Sequence, residues 1–172
     1  ERNFVGVRYA PPAPRGHVES YFLKANDPER RRAIWLKATV YAPRHLRDAC
    51  GVRSGAVAEA WAIAFDGDGE HVAVKSTVPY ESARFARDTL DVEVDQLTLR
   101  EGETHGSVAS GGRTIAWSLA IQNEAPPLVH FAADWMYSAP FPSSKLVSPL
   151  PDLRLRGEIV VNGVTWNVDG WR

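Results

Sequence analysis

Val57-Ala-Glu-Ala-Trp-Ala-Ile-Ala-Phe65 is the stretch whose reading decides the fold. Four alanines' worth of helix propensity pull one way and the period pulls the other. On a strand, Val57, Glu59, Trp61, Ile63 and Phe65 share one face, and Ala58, Ala60, Ala62 and Ala64 share the opposite face. A helix would set Ala58 and Ala62 beside Trp61 and Phe65 and mix the two classes. Only the strand separates them, so the pattern predicts a strand against alanine's intrinsic preference. An all-alanine face lets a second sheet, a helix or a flat ligand approach closely, and close packing is the default use of such a face.

Outward from this strand the period of two persists. Upstream, Ile34, Leu36, Ala38 and Val40 alternate with Trp35, Lys37, Thr39 and Tyr41, and Glu19 to Ala25 reads as a first strand. Asn26-Asp27-Pro28 breaks the chain between them. Residues 43–54 are polar and are expected to hold a short helical turn. Downstream, Asp66-Gly67-Asp68-Gly69 turns the chain. It resembles the opening of a calcium loop, but the later ligands and closing glutamate are absent, which favours a hairpin turn. His71 to Tyr80 returns as a strand, and residues 79–88 suggest one short helix. Asp91 to Arg100 reads as a single strand with a bulge near Asp95-Gln96, where the apolar parity shifts. His105 to Ala109 and Thr114 to Ile121 flank Gly111-Gly112 as a hairpin. Leu128 to Phe131 is a short strand. Met136 to Pro151 is rich in proline and serine, a loop long enough to be a lid or binding segment. The final hairpin, from Gly157, turns at Asn162-Gly163. The sum is all-β: about nine or ten strands in an antiparallel barrel or a flattened β-sandwich.

Composition bounds the function. The 172 residues suit one domain with a sizeable core. Twenty Lys and Arg against 21 Asp and Glu leave a net charge of −1, so no basic face advertises nucleic acid. Arg30-Arg31-Arg32 reads as a solvated hairpin tip. The single cysteine, Cys50, cannot form an internal disulfide, and despite His45 five residues upstream it reads as inert. No apolar run approaches the ~18 residues of a membrane span. The chain is expected to be soluble, in the cytoplasm or at a membrane surface. No cofactor or metal motif stands out: His17, His45, His71, His105 and His130 are scattered, and neither a phosphate-cradling glycine loop nor a Gly-x-Ser-x-Gly elbow is found.

The aromatic content is the remaining signal. Six tryptophans sit among the strands, and in a barrel such rings either fill the interior or line an apolar cavity. Candidate ligand-binding residues are Trp61, His105, Trp117, His130, Trp135, Tyr137 and Lys145. Asp134, between Ala133 and Trp135, is the acid in apolar company and the candidate proton donor. Trp171, next to the last residue, is expected to be exposed, as at a domain junction.

Three segments carry a resemblance. His130-Phe-Ala-Ala-Asp-Trp-Met136, Ser143-Ser-Lys-Leu-Val-Ser-Pro149 and Gly157-Glu-Ile-Val-Val-Asn-Gly-Val-Thr-Trp-Asn-Val-Asp-Gly-Trp171 look like the carotenoid 1,2-hydratase (hydroxyneurosporene synthase) and AttH-like family, and Gly16-His-Val-Glu-Ser-Tyr-Phe22 is similar to that family's first strand. The resemblance implies a single lipocalin-like, calycin-type β domain over residues 1–172, the N-terminal half of a two-domain protein with a second β domain as partner. It implies an apolar ligand, a polyene, isoprenoid or lipid, and hydration or cyclisation of an alkene. The acid–base residues of the hydratases belong to that family's later half, so no catalytic residue is carried over. A non-catalytic lipid- or isoprenoid-binding module and a purely structural domain are the alternatives.

Overall fold

The computed structural model describes residues 5–11, 13, 15–44, 55–141 and 143–172. The chain first lays down an antiparallel meander of four strands: β1 (His17–Asn26), β2 (Arg32–Ala42), β3 (Val57–Asp66) and β4 (Val72–Pro79). A single 3-10 turn, Tyr80–Ser82, leads to a seven-stranded sheet. Its members are β5 (Arg84–Phe85), β6 (Asp91–Val94), β7 (Leu97–Arg100), β8 (Glu103–Ser110) and β9 (Arg113–Asn123), followed later by β12 (Leu153–Val161) and β13 (Val164–Trp171). Their order is β13-β12-β9-β8-β7-β6-β5. Between β9 and β12 the chain makes an excursion holding a two-residue strand pair, β10 (Leu128–Val129) with β11 (Val147–Ser148), and a one-turn helix α1 (Trp135–Ser138).

The alanine stripe explains how the sheets meet. Ala58, Ala60, Ala62 and Ala64 are fully buried, flanked across the ladder by Val40, Ala38, Leu36 and Ile34 of β2. The occupant of the alanine face is the other sheet: β3 packs against β6, β8 and β9. Small side chains on one sheet make room for Val94, Val108, Ile115 and Trp117 of the other, all buried. One hydrophobic cluster spans both inner faces.

Several expectations need correction. Thirteen strands are present among the described residues, three of them only two residues long, and the sheets do not close into a barrel. They form the flattened sandwich instead. The two sheets touch edge to edge at one corner, where Asn26 of β1 and Arg172 exchange both main-chain hydrogen bonds, at 2.5 and 3.1 Å. The parity shift at Asp95-Gln96 is a tight hairpin and not a bulge, since Val94 pairs with Leu97 and Asp95 has φ of 54°. A two-residue turn and a bulge both move apolar parity by one, so the sequence cannot separate them. The helix expected over 79–88 is reduced to the 3-10 turn and β5. Trp171 is 2% exposed, packed near Trp166 with ring centroids 6.3 Å apart, and not a bare ring at a junction. Arg32 does more than solvate a tip: it pairs with Asp66 and lies 4.6 Å over the Trp166 ring. The Asn162-Gly163 turn is as expected, with φ of 48° and 85°.

Candidate functional site

Where the sandwich fails to close, it leaves a cleft of about 610 Å3. β1 is an edge strand, and the cleft follows its free side from His17 to Lys24. At ~3.3 Å per residue that is a run of about 23 Å. Leu90, Leu99, Ile121 and Leu153, from around the seven-stranded sheet, form the apolar wall facing Leu23, and residues 143–152 cross it as a strap. Polar groups gather toward the two ends. Arg8, His17 and Glu19 lie at one, and Lys24 and Arg172 at the other.

The first end is built around Glu19. His17, Glu19 and Tyr21 alternate onto the inner side of β1, in the same row as buried Leu23 and Ala25. The Glu19 side chain is 17% exposed. Its carboxylate accepts the Arg8 N–H at 2.9 and 3.0 Å, the Tyr9 N–H at 3.1 Å and the Tyr21 hydroxyl at 3.1 Å. His17 Nε2 is 3.0 Å away. Both oxygens are thus spent as acceptors, and they fasten the N-terminal arm, residues 5–9, to the strand. An aromatic group continues inward: Tyr9 against His17 and Tyr80, Tyr80 stacked on Phe85, and Phe85 beside Tyr21. Burial pushes the Tyr21 hydroxyl's pKa well above the usual tyrosine value, and the neighbouring Glu19 charge adds to the rise. Burial also raises Tyr80, opposed by Arg87.

The excursion between β9 and β12 supplies the strap and is stitched internally. The Tyr137 hydroxyl accepts the N–H of His130 at 2.8 Å and of Phe131 at 3.3 Å, and donates to the Leu146 carbonyl at 3.2 Å. His130 Nε2 lies 3.1 Å from Ser148 Oγ. Lys145 Nζ donates to the carbonyls of Met136 and Ala139 and sits 5.6 Å over the Phe131 ring.

Of the residues singled out from sequence, Tyr137 and Lys145 border the cleft, and His130 reaches it through Ser148. The others are elsewhere. Trp135 is 67% exposed on α1, beside an exposed Asp134. His105 is exposed on β8. Trp117 is buried in the core, its indole N–H donating to Thr104 Oγ1 at 3.0 Å. Trp61 stands on the outer face of β3, its N–H on Glu59 at 3.1 Å and its ring near Lys75 and Lys37. Cys50 and His45, and the expected helical turn over 43–54 beyond residue 44, lie outside the described residues.

His17, Glu19 and Tyr21 were not singled out as site residues. A signal was present: three polar side chains at i, i+2 and i+4 on the face that continues as Leu23 and Ala25. Polar groups in the parity of a core row must find partners inside. Among the described residues no helix is long and apolar enough to cross a membrane. Comparison of the chain with protein-family models, with curated proteins and with solved structures finds no match.

Proposed function

We propose that this domain binds an elongated, mainly apolar small molecule, of the polyene, isoprenoid or lipid class, in the cleft along β1. The observation that carries the reading is the cleft, whose volume of about 610 Å3 falls in the ~300–1,000 Å3 span of small-molecule sites. Its lining joins an apolar wall to charged groups, which suits a long molecule with one polar terminus. Arg8, Lys24, Lys145 and Arg172 against Glu19 and Asp152 make the lining cationic in sum and favour an acidic terminus. The resemblance of residues 130–171 to the carotenoid 1,2-hydratase and AttH-like family points to the same ligand class, and to a second β domain as partner.

Binding is better supported than proton transfer. Hydration of an alkene needs an acid beside the double bond. Asp134 is exposed, and Glu19 has both oxygens engaged by donors. Hydration or cyclisation is the step the resemblance suggests for a protein carrying this domain, and holding the ligand is the part this chain supplies.

The test uses cis-parinaric acid, a polyene carboxylic acid that fluoresces when shielded from water. Saturable enhancement is expected with the wild-type chain. Leu99→Trp and Leu90→Trp narrow the apolar wall and are expected to weaken binding about tenfold or more, by overfilling the seat. Absence of enhancement in the wild type, or wild-type affinity retained in both variants, refutes the assignment.

A further inference from the structure

The side of β1 turned away from β2 carries main-chain groups that the fold leaves unused. In an antiparallel ladder, alternate residues direct their N–H and C=O to one neighbour and the residues between them to the other. Asn26 fixes the parity, because its N–H and C=O both bond Arg172 and so face away from β2. Lys24, Phe22, Ser20 and Val18 share that parity. Among the described residues none of their main-chain groups is bonded on that side.

This edge is also long and regular. Folded proteins blunt edge strands with prolines, bulges, charges or short length. β1 is ten residues long, pairs with β2 in unbroken register, has no proline and exposes Val18 at 66% and Phe22 at 54%. Two other edges differ: β4 ends on Pro79, and β5 is two residues long. Beside β1 runs the cleft, bordered on its far side by residues 143–152. Finally, Asn26 at the end of this edge is already paired on that side, through both of its main-chain groups, with Arg172.

We propose that the free edge of β1 accepts an added β-strand, an extended peptide segment running antiparallel to β1 in the register set by the Asn26–Arg172 pair. The register specifies the partner's chemistry, because residues opposite each other share a face. Positions opposite Ala25, Leu23 and Tyr21 turn inward and call for apolar side chains. The position opposite Lys24 turns outward and calls for an acid. The one opposite Phe22 calls for a β-branched residue. The inference stands on the main-chain edge and not on the ligand reading.

The probe is the peptide acetyl-Val-Glu-Val-Thr-Val-Thr-amide, added at millimolar concentration to the full chain, with amide hydrogen exchange followed by NMR. In the free chain, the amides of Ser20, Phe22 and Lys24 are expected to exchange about 100-fold faster than those of Tyr21 and Leu23, which face β2. The peptide is expected to slow Phe22 and Lys24 about tenfold, saturably, as strand addition protects main-chain donors. N-methylation of its glutamate, whose N–H would bond the Lys24 carbonyl, should abolish the effect. N-methylation of the second valine, whose N–H points away, should not. Phe22 and Lys24 amides already slow in the free chain, no slowing with peptide, or equal effects of the two methylated peptides would each overturn the proposal. So would self-association of the chain through the same amides, seen by sedimentation velocity. Parinaric acid binding that persists while the peptide fails leaves the ligand reading standing and removes only this one.

Discussion

Glu19→Ala tests whether one carboxylate organises the end of the cleft. The substitution removes the acceptor for Arg8 N–H, Tyr9 N–H and the Tyr21 hydroxyl. Arg8 is exposed, so its N–H turns to water at little cost. The Tyr9 N–H and Tyr21 hydroxyl bonds are part-buried. A buried donor left without an acceptor costs ~1–3 kcal/mol, and partial burial places each in the lower half of that range. The expected loss is therefore about 2–4 kcal/mol in total, counting both donors. For a chain of this size each kcal/mol moves Tm by ~2–4 °C, which gives a fall of about 4–16 °C by circular dichroism. Glu19→Gln keeps the shape and one acceptor oxygen, but sets an NH2 group against donors, and should fall between. The loss should be local as well as global. Amide exchange at Arg8 and Tyr9 should accelerate as the N-terminal arm loosens, and parinaric acid should bind more weakly, because Val5, Gly6 and Arg8 border the cleft. An unchanged Tm, within about 1 °C, with Arg8 and Tyr9 still protected, would refute the reasoning.

Gly157→Ala should destabilise by about 3 kcal/mol or more, measured by urea unfolding, because strained backbone and backbone overlap add. Gly157 has φ of +139°, and a Cβ there would overlap the Ser118 carbonyl oxygen and lie 3.2 Å from Leu119 Cα. Stability should also fall in acid through the ion-pair group on the seven-stranded sheet. Hydrogen bonding from Arg84 lowers the Glu93 pKa, and at Asp91 burial works upward but is overcome by Arg84 and Arg100. A carboxyl whose folded pKa is depressed contributes above its unfolded value and loses that contribution as pH falls through the folded one. The decline should thus begin below pH 4.5, the ordinary glutamate value, and Arg84→Gln should flatten it in a thermal melt series. A variant as acid-sensitive as the wild type would remove Arg84 from the cause.

The strands were legible because each has one face in the core and one outside, and that asymmetry is written in period two. Ile34 to Val40, Ala58 to Ala64 and Ile115 to Ile121 show it, and all their inward members are buried. The site was less legible. Tyr137 and Lys145 were singled out as polar neighbours of an aromatic-lined cavity, while Trp61, Trp117 and Trp135 were drawn in by ring content alone. A tryptophan is equally at home in a core, on a lysine-flanked outer face or on an exposed helix, and these three occupy one of each.

By itself the sequence determined the class: antiparallel strands, their facing, the Asn162-Gly163 and Gly111-Gly112 turns, and an alanine stripe that demands a close-packed neighbour. Those are local properties, set by side-chain alternation and by φ at single residues. Only the tertiary structure decided that the sheets remain open, that the neighbour of the stripe is the second sheet, and that Glu19 holds the N-terminal arm beside the resulting cleft. These depend on which edges meet. Edge pairing is made by main-chain N–H and C=O groups that every residue shares, so the unpaired edge of β1 and the single Asn26–Arg172 pair leave no mark in the side-chain pattern.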